Sequence, residues 1–177
     1  MRIISGEFKG RVFSPPSNIP VRPTTDRAKE SLFNILNNHI EFGEVEVLDL
    51  FAGTGNISYE FLSRGVPRIT VVERDPKCIA FIKGTMDKLG IADAKIIRSD
   101  VFKFIENCQQ KFDLIFADPP YTMEKIQEVP VIIMENELLK EDGLLIVEHG
   151  SSMNFENEKG FYQKRNIGEV NFSIFKG

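Results

Sequence analysis

Residues 45–57 indicate the architecture most clearly and read Val45-Glu46-Val47-Leu48-Asp49-Leu50-Phe51-Ala52-Gly53-Thr54-Gly55-Asn56-Ile57. Their apolar first part predicts a β-strand, their two glycines predict a turn, and a helical pattern begins at Ile57. Gly53 and Gly55 can take backbone angles that are closed to other residues, which lets a ligand approach the main chain. Strand, glycine turn and helix in this order are typical of the nucleotide-binding opening of a doubly wound α/β sheet.

A carboxylate at the end of the next predicted strand restricts the class of ligand that the glycine turn can bind. The run Ile69-Thr70-Val71-Val72 ends in Glu73, and this distance from the glycine turn suits a carboxylate that binds a ribose diol. Ser58 stands where a dinucleotide fingerprint would have its third glycine, which disfavours a pyrophosphate ligand. A nucleoside without phosphate meets these requirements, and S-adenosylmethionine, a ribonucleoside that carries an amino acid, is such a ligand.

A second motif, Asp118-Pro119-Pro120-Tyr121, follows the apolar run Leu114-Ile115-Phe116-Ala117. It therefore lies where a buried strand opens onto its carboxyl-end loop, the place at which α/β sheets bind ligands. The exocyclic amine of a nucleobase becomes nucleophilic only when acceptors bind its N–H bonds. Asp118 and the Pro119 carbonyl can be those acceptors, and Tyr121 can stack on the base. The alternative is that Asp, Pro and Pro are ordinary turn residues.

These motifs occur in an order that resembles class I S-adenosylmethionine-dependent amino-methyltransferases. Two further segments make the chain similar to the bacterial RsmD family, namely residues 2–11 (RIISGEFKGR) and 22–34 (RPTTDRAKESLFN), and residues 168–175 add to the likeness. The resemblance covers essentially the whole chain. One departure is Ile167, where an aromatic residue is expected, and it concerns local packing rather than chemistry.

The resemblance implies a fold and an activity. The fold is a doubly wound, mostly parallel seven-stranded sheet of the Rossmann-like class I methyltransferase type, with a small N-terminal β-hairpin or arm. The activity is methylation of the exocyclic amino group of one guanine in small-subunit (16S) ribosomal RNA. The implied partner is ribosomal RNA, within a small-subunit particle.

The resemblance and the motifs together assign roles to residues. Glu73 is expected to bind the ribose hydroxyls, Asp100 and the Val101 amide the adenine edge, and Asp49 the methionine end of the cofactor through water. Asp100 can equally be a helix N-cap, and Asp49 can equally support the glycine loop. The full cofactor set is Asp49, Phe51, Ala52, Gly53, Gly55, Glu73, Arg74, Asp100 and Val101, and the catalytic set is Asp118, Pro119 and Tyr121.

Composition bounds the class of protein. The chain has 177 residues, 42% of them hydrophobic, without a run near eighteen apolar residues, so one domain spanning residues 1–177 and no membrane span are expected. The N-terminus has no apolar signal-peptide core, which favours a cytoplasmic protein. Two cysteines and two histidines, all distant in sequence, make a metal site improbable.

Charge is distributed unevenly along the chain. The formal net charge is −4, yet residues 1–29 carry six basic and two acidic side chains, so the remainder carries −8. This asymmetry favours a basic N-terminal arm, residues 1–25, that meets phosphate. Arg11, Arg22 and Arg27 are the predicted RNA contacts, against the alternative of a merely solvated extension.

Hydrophobic periodicity predicts alternating strands and helices. Asp26 is expected to cap the first helix, and Asp75-Pro76 to begin one that Gly90 ends. The predicted strands are Val45–Leu50, Ile69–Glu73, Ala94–Ile97, Leu114–Ala117 and Leu144–Glu148, followed by a hairpin of Phe161–Arg165 and Asn171–Phe175. The other predicted helices are Ile57–Arg64, Val101–Gln109 and most of Met123–Leu139.

Other functions are alternatives to methylation of guanine in ribosomal RNA. The Pro-Pro-Tyr loop also suits methylation of adenine in DNA or RNA, or of a protein glutamine amide. A nicotinamide-dependent oxidoreductase is disfavoured by Ser58 and by the lack of a proton-relay residue. A catalytically inactive RNA-binding assembly factor is disfavoured by the intact Asp118 and Tyr121.

Overall fold

The fold is a seven-stranded sheet with helices on both faces. The structure is a computed structural model, and it describes residues 1–19 and 24–177. The helices are α1 (Asp26–Leu36), α2 (Asn56–Ser63), α3 (Pro76–Leu89), α4 (Val101–Asn107) and α5 (Glu128–Glu135), with a 3-10 turn at Phe42–Glu44. The strands are β1 (Glu46–Leu50), β2 (Arg68–Glu73), β3 (Ala94–Arg98), β4 (Phe112–Ala117), β5 (Leu139–His149), β6 (Phe161–Ile167) and β7 (Val170–Lys176).

The strand order is β3-β2-β1-β4-β5-β7-β6. Strands β1 to β5 are parallel, and β7 runs antiparallel to both β5 and β6. The chain order reverses between β1 and β4, which are neighbours, so a crevice opens beyond their carboxyl ends. The predicted doubly wound, mostly parallel sheet is confirmed.

The core lies on both faces of this sheet, because successive strand residues point to opposite sides. On β1, Val47 packs towards α1, α2 and α3, whereas Leu48 packs towards α4 and α5. Both side chains are fully buried. Burial on both faces explains why the central strands appear in the sequence as nearly continuous apolar runs.

Helix ends follow local chemistry. Helix α3 begins at Pro76 after the Asp75 cap, which accepts from the Lys77 amide at 2.7 Å, and it ends at Gly90 with φ 72°. Both predictions for this helix are confirmed. The cap of α1 is Thr25 rather than Asp26, because the Thr25 hydroxyl oxygen accepts from the Ala28 amide at 3.2 Å. Asp26 is the first helical residue and pairs with Arg2 at 2.9 Å.

The prediction of helix over most of Met123–Leu139 was wrong in extent. Helix α5 covers only Glu128–Glu135, since the segment before it forms turns in which the Met123 amide donates to the Pro120 carbonyl at 2.8 Å. Leu139 already belongs to β5, where it pairs with Phe112. Strand β5 thus begins before the predicted start at Leu144, and an irregularity in its register accommodates Asp142 at φ 58°.

The N-terminal segment is folded against the domain. Residues Arg2 and Val12 form an antiparallel bridge, so a short hairpin is present within the predicted arm. The Ile4 and Ser5 amides both donate to the carboxylate of Glu60 on α2, at 2.8 and 3.0 Å. The segment is therefore fastened to α2.

Over residues 1–19 and 24–177, every helix is too short or too polar to cross a membrane.

Candidate active site

A cavity of about 530 Å³ opens at the carboxyl ends of the central strands. This volume lies within the range of about 300 to 1,000 Å³ that is common for small-molecule sites. The cavity brings together eleven of the predicted site residues, which are Asp49, Phe51, Ala52, Gly53, Glu73, Arg74, Asp100, Val101, Asp118, Pro119 and Tyr121.

Strand register places three carboxylates in one row across this cavity. Leu50 pairs with Val72 and Ala117, and Ala117 pairs with Val147. The next residue on each strand continues the row. In sheet order across β2, β1, β4 and β5, the members of the row are Glu73, Phe51, Asp118 and Glu148. Since neighbouring strands lie about 4.8 Å apart, Asp118 and Glu148 are adjacent and Glu73 is two strands from Asp118.

The loop after β1 uses left-handed backbone angles. Phe51, Gly53 and Gly55 have φ values of 59°, 56° and 79°. A positive φ is uncommon for a phenylalanine, and such residues concentrate at ligand sites. Phe51 turns the chain at the strand end, and residues 51–53 line the cavity.

Gly55 lies outside the cavity lining, and its expected binding of the cofactor stays a prediction. It is the N-cap of α2, and a Cβ at this position would lie 2.8 Å from the Tyr59 ring. A side chain is excluded both by φ and by this contact. Gly55 therefore shapes the loop that other residues use.

Backbone amides hold the Glu73 carboxylate in place. Its Oε2 accepts from the Gly53 amide at 2.8 Å, and its Oε1 accepts from the Arg74 and Asp75 amides at 2.7 and 2.8 Å. Oε1 thus has both lone pairs engaged, whereas Oε2 keeps one lone pair for a further donor. Glu73 is thus an oriented acceptor beside the glycine loop, as a ribose-binding carboxylate must be.

Asp49 lies beneath the same loop and is almost fully buried. Burial raises the pKa of its carboxyl group to about 7, against the opposing effect of a hydrogen bond from Ser58 and with a smaller contribution from the nearby Glu73 charge. Ser58 belongs to α2, so Asp49 joins β1 to that helix while its side chain also lines the cavity. Both interpretations offered for Asp49 are compatible with this position.

Asp100 caps α4. Its Oδ1 accepts from the Phe102 amide at 3.0 Å and from the Lys103 amide at 3.3 Å. The cap interpretation is confirmed, and Asp100 also lines the cavity together with Val101. Because Oδ1 makes both cap bonds, the cap leaves Oδ2 to face other groups.

The loop after β4 forms the opposite side of the cavity. Pro119 is buried, whereas Tyr121 is 40% exposed, so its ring can contact an incoming molecule. The Tyr121 hydroxyl donates to Glu148 Oε1 at 3.3 Å. The ring is therefore held between its own loop and the end of β5.

Several lining residues were missed from the sequence. They are Glu148 at the end of β5, Thr24 and Thr25 before α1, Asn56 at the start of α2, and Cys78 on α3. Glu148 could have been found, because it is a strand-end acid like Glu73 and Asp118. Thr24, Asn56 and Cys78 come from segments whose patterns indicate only helices and their starts.

The predicted RNA contacts lie away from the cavity lining. Arg11 and Arg27 are exposed side chains near the N-terminal hairpin and at the start of α1. Their role as RNA contacts stays a prediction. Arg22 lies outside the described residues.

Within residues 1–19 and 24–177, no group of three or more His, Cys, Asp or Glu side chains could hold a metal ion. His149 is buried, and burial lowers its pKa, so the imidazole is neutral near pH 7. Its Nδ1 lies 2.8 Å from the Gly150 carbonyl and its Nε2 lies 2.8 Å from the Ser173 hydroxyl. His149 therefore has a structural role, in which its ring links the end of β5 to β7 through Ser173.

Comparison with known proteins places this geometry in a family. The family model described as "Conserved hypothetical protein 95" matches residues 1–176. The chain is 34% identical to the Bacillus subtilis protein named "Putative rRNA methyltransferase YlbH", over 99% of this chain and 98% of that protein. It is also 34% identical to the "Ribosomal RNA small subunit methyltransferase D" of Haemophilus influenzae, over 84% of this chain and 78% of that protein.

A solved structure shows the same architecture. The Escherichia coli "Putative methyltransferase yhhF" superposes with a TM-score of 0.86 at 27% identity, covering 99% of this chain and 97% of that one. Since the family model and the relatives together span nearly the full sequence, the chain belongs to the conserved hypothetical protein 95 family, the RsmD family.

Proposed function

We propose that this protein transfers a methyl group from S-adenosylmethionine to the exocyclic amino group of a guanine in small-subunit ribosomal RNA. One observation carries the proposal. The glycine loop with Glu73 and the Asp118 loop with Tyr121 line a single cavity at the carboxyl ends of adjacent strands. A nucleoside cofactor and a base can therefore meet within it.

The residues present suit the cofactor. The oriented Glu73 carboxylate would accept from the ribose hydroxyls, and Asp100 with the Val101 amide would bind the adenine edge. Phe51, Ala52 and Gly53 bring main chain close to the ligand, and Asp49 lies beneath them. When bound, S-adenosylmethionine supplies an electrophilic methyl group.

The residues of the β4 loop suit the methyl acceptor. Asp118 and the Pro119 carbonyl accept from the two N–H bonds of the amine, which leaves the nitrogen lone pair directed at the methyl group. Tyr121 stacks on the base. Most of the acceleration comes from holding two reactants at near-contact distance and from acceptors aimed at the amine as it becomes positively charged. The amine then releases its proton to water.

The position of Asp118 restricts the form of the RNA. A base stacked inside a duplex cannot bring its amine to a carboxylate at the end of a buried strand. The target guanine is therefore flipped out of its helix or unpaired. An assembled small-subunit particle can present such a base.

The relatives support the class of substrate. The Haemophilus influenzae relative is named as a methyltransferase of small-subunit ribosomal RNA. Guanine as the modified base rests on the resemblance stated for the motifs and on the carboxylates at the base side of the cavity, which match an edge rich in N–H donors.

A paired measurement of binding and turnover tests the proposal. Calorimetry should show that Glu73→Ala weakens S-adenosylmethionine binding about ten- to a hundredfold, because charge-assisted hydrogen bonds are lost. Asp118→Ala should bind the cofactor normally yet transfer methyl to small-subunit RNA about a hundredfold or more slowly. Glu141→Ala, an exposed carboxylate on β5, is the matched control and should change neither quantity.

Three results would contradict the proposal. NAD binding tighter than S-adenosylmethionine would indicate an oxidoreductase. Methyl transfer to adenine or to a glutamine amide, and not to guanine, would change the substrate. RNA binding without cofactor binding would indicate an inactive assembly factor.

A further inference from the structure

Glu148 is a carboxylate at the base side of the cavity that the proposed reaction does not use. It is the penultimate residue of β5, it lines the cavity, and it is only 4% exposed. Carboxylate oxygens that line a cavity can accept hydrogen bonds from a molecule that enters it. Among its contacts is the hydrogen bond that it accepts from the Tyr121 hydroxyl at 3.3 Å.

Sheet register sets the position of Glu148 relative to Asp118. Ala117 pairs with Val147, so the two acids are the next residues on adjacent parallel strands. Equivalent positions on neighbouring strands are about 4.8 Å apart and point to the same face. Adjacent donors on the edge of a purine are separated by about half this spacing. The Glu148 side chain is longer than that of Asp118, so its carboxylate can reach the donor next to the one that Asp118 binds.

The edge of guanine offers the donors that two such acceptors require. Its exocyclic amine carries two N–H bonds, and the neighbouring ring nitrogen N1 carries a third. Adenine presents an acceptor at N1, which would face a carboxylate with like polarity. An ionised carboxylate only accepts hydrogen bonds, so it distinguishes these two edges.

We propose that Glu148 determines base specificity by accepting the N1–H of the target guanine while Asp118 accepts from the amine. This inference rests on the proposed function. Tyr121 assists, because its hydroxyl binds the same carboxylate and its ring lies beside Gly150, which fixes the plane on which the base stacks. Stacked on that plane, the base turns its N1 edge towards Glu148.

The test uses 2-aminopurine, a base that keeps the amine of guanine but has an unprotonated N1 and no carbonyl. The guanine that the wild type methylates is first mapped by mass spectrometry in small-subunit RNA. The same RNA is then made by ligation with 2-aminopurine at that position. The ratio of kcat/KM for the two RNAs is measured for wild type, for Glu148→Gln, and for Glu141→Gln as an exposed control on the same strand.

The wild type should prefer guanine by about a hundredfold or more, since a site built around an N–H rejects an analogue that lacks it. In Glu148→Gln this ratio should fall to within about tenfold, because an amide can donate to the unprotonated N1. The Gln oxygen can still accept from Tyr121, so the melting temperature and S-adenosylmethionine affinity should be retained. Glu141→Gln should keep the wild-type ratio.

Two outcomes would overturn the inference. One is a guanine to 2-aminopurine ratio of kcat/KM that is unchanged in Glu148→Gln. The other is a wild type that methylates both RNAs equally well, a result that can be obtained without any variant. Failure of the proposed function would look different, since the wild type would then transfer no methyl group to the guanine RNA.

Discussion

Asp49 shows how a single buried residue can couple the site to pH. Its carboxyl group has a pKa of about 7 because burial penalises the charged form, whereas in the unfolded chain the group has a pKa near 3.8. Between these two values the folded protein holds a proton that the unfolded chain has released. Stability contributed by this group is therefore greatest at low pH and is lost as pH rises towards 7.

Asp49→Asn removes this titration while keeping an oxygen for the Ser58 hydroxyl. We expect the free energy of unfolding of wild type, relative to the variant, to fall by about 2.5 kcal/mol between pH 5 and pH 8. Urea unfolding at both pH values measures it. Asp93→Asn, at an exposed position, serves as the control. A gap that is constant with pH would show that Asp49 is not protonated in the folded state.

The sequence predicted individual site residues well where a motif marked them. Glu73 and Asp118 were predicted because each follows an apolar strand run near a glycine or proline loop. Glu148 has the same strand-end position, but Gly150 and Ser151 after it form no comparable motif. At Gly55 the sequence could not show that a side chain would clash with the Tyr59 ring, because this contact depends on packing that spacing does not reveal.

At the scale of elements, a buried ion pair joins the N-terminal hairpin, α1 and α2. Lys29 and Glu60 are both fully buried, with Nζ 3.4 Å from Oε2. Lys29 also donates to the Arg2 carbonyl at 2.6 Å and to Asn56 Oδ1 at 2.9 Å. Arg64 binds the other oxygen of Glu60 at 3.0 Å. The start of the glycine-loop helix is thus tied to the chain's first residues.

Glu60→Ala should destabilise the fold by about 3 to 5 kcal/mol. The change leaves the Lys29 ammonium buried without its carboxylate partner, and it removes the acceptor of the Ile4 and Ser5 amides. The double variant with Lys29→Met should lose less than the sum of the single losses. Chemical denaturation of the four proteins gives both values. Strict additivity would mean that the two side chains do not interact in solution.

Strands and the closing hairpin were predictable because their burial pattern is local, with a period of two or a continuous apolar run. The packing of the N-terminal hairpin on α2 could not be predicted, because it depends on contacts between residues that are far apart in the sequence. A Cβ at Gly6 would lie 1.7 Å from the Ser63 carbonyl oxygen, so glycine is required there by a helix 57 residues away. The C-terminal end of helix α5 was overestimated because apolar residues 138 and 139 fit a helix or a strand equally.

At the scale of the whole molecule, the charge asymmetry takes a definite form in the fold. Lys29 is neutralised inside, and Arg2 pairs with Asp26 at the surface. Arg11 and Arg27 remain exposed. The basic character of the N-terminal region therefore depends on fewer side chains than its composition indicates.

If Arg11, Arg22 and Arg27 contact phosphates, RNA affinity should fall with salt by about 0.7 to 0.9 log units per phosphate for each log unit of salt. Replacing all three by Ala should flatten that slope by about two to three units. A salt series of RNA binding measures the slopes, with S-adenosylmethionine affinity as the check on folding. Equal slopes for both proteins would place RNA recognition elsewhere.

Mass mapping of small-subunit ribosomal RNA from cells tests whether this protein modifies one guanine. Cells that lack this protein should lose one methyl group from a guanine amine. Wild type should restore it, whereas Asp118→Ala, expressed at the same level, should not. Identical guanine methylation of ribosomal RNA in the presence and absence of the protein would show that it does not modify this guanine.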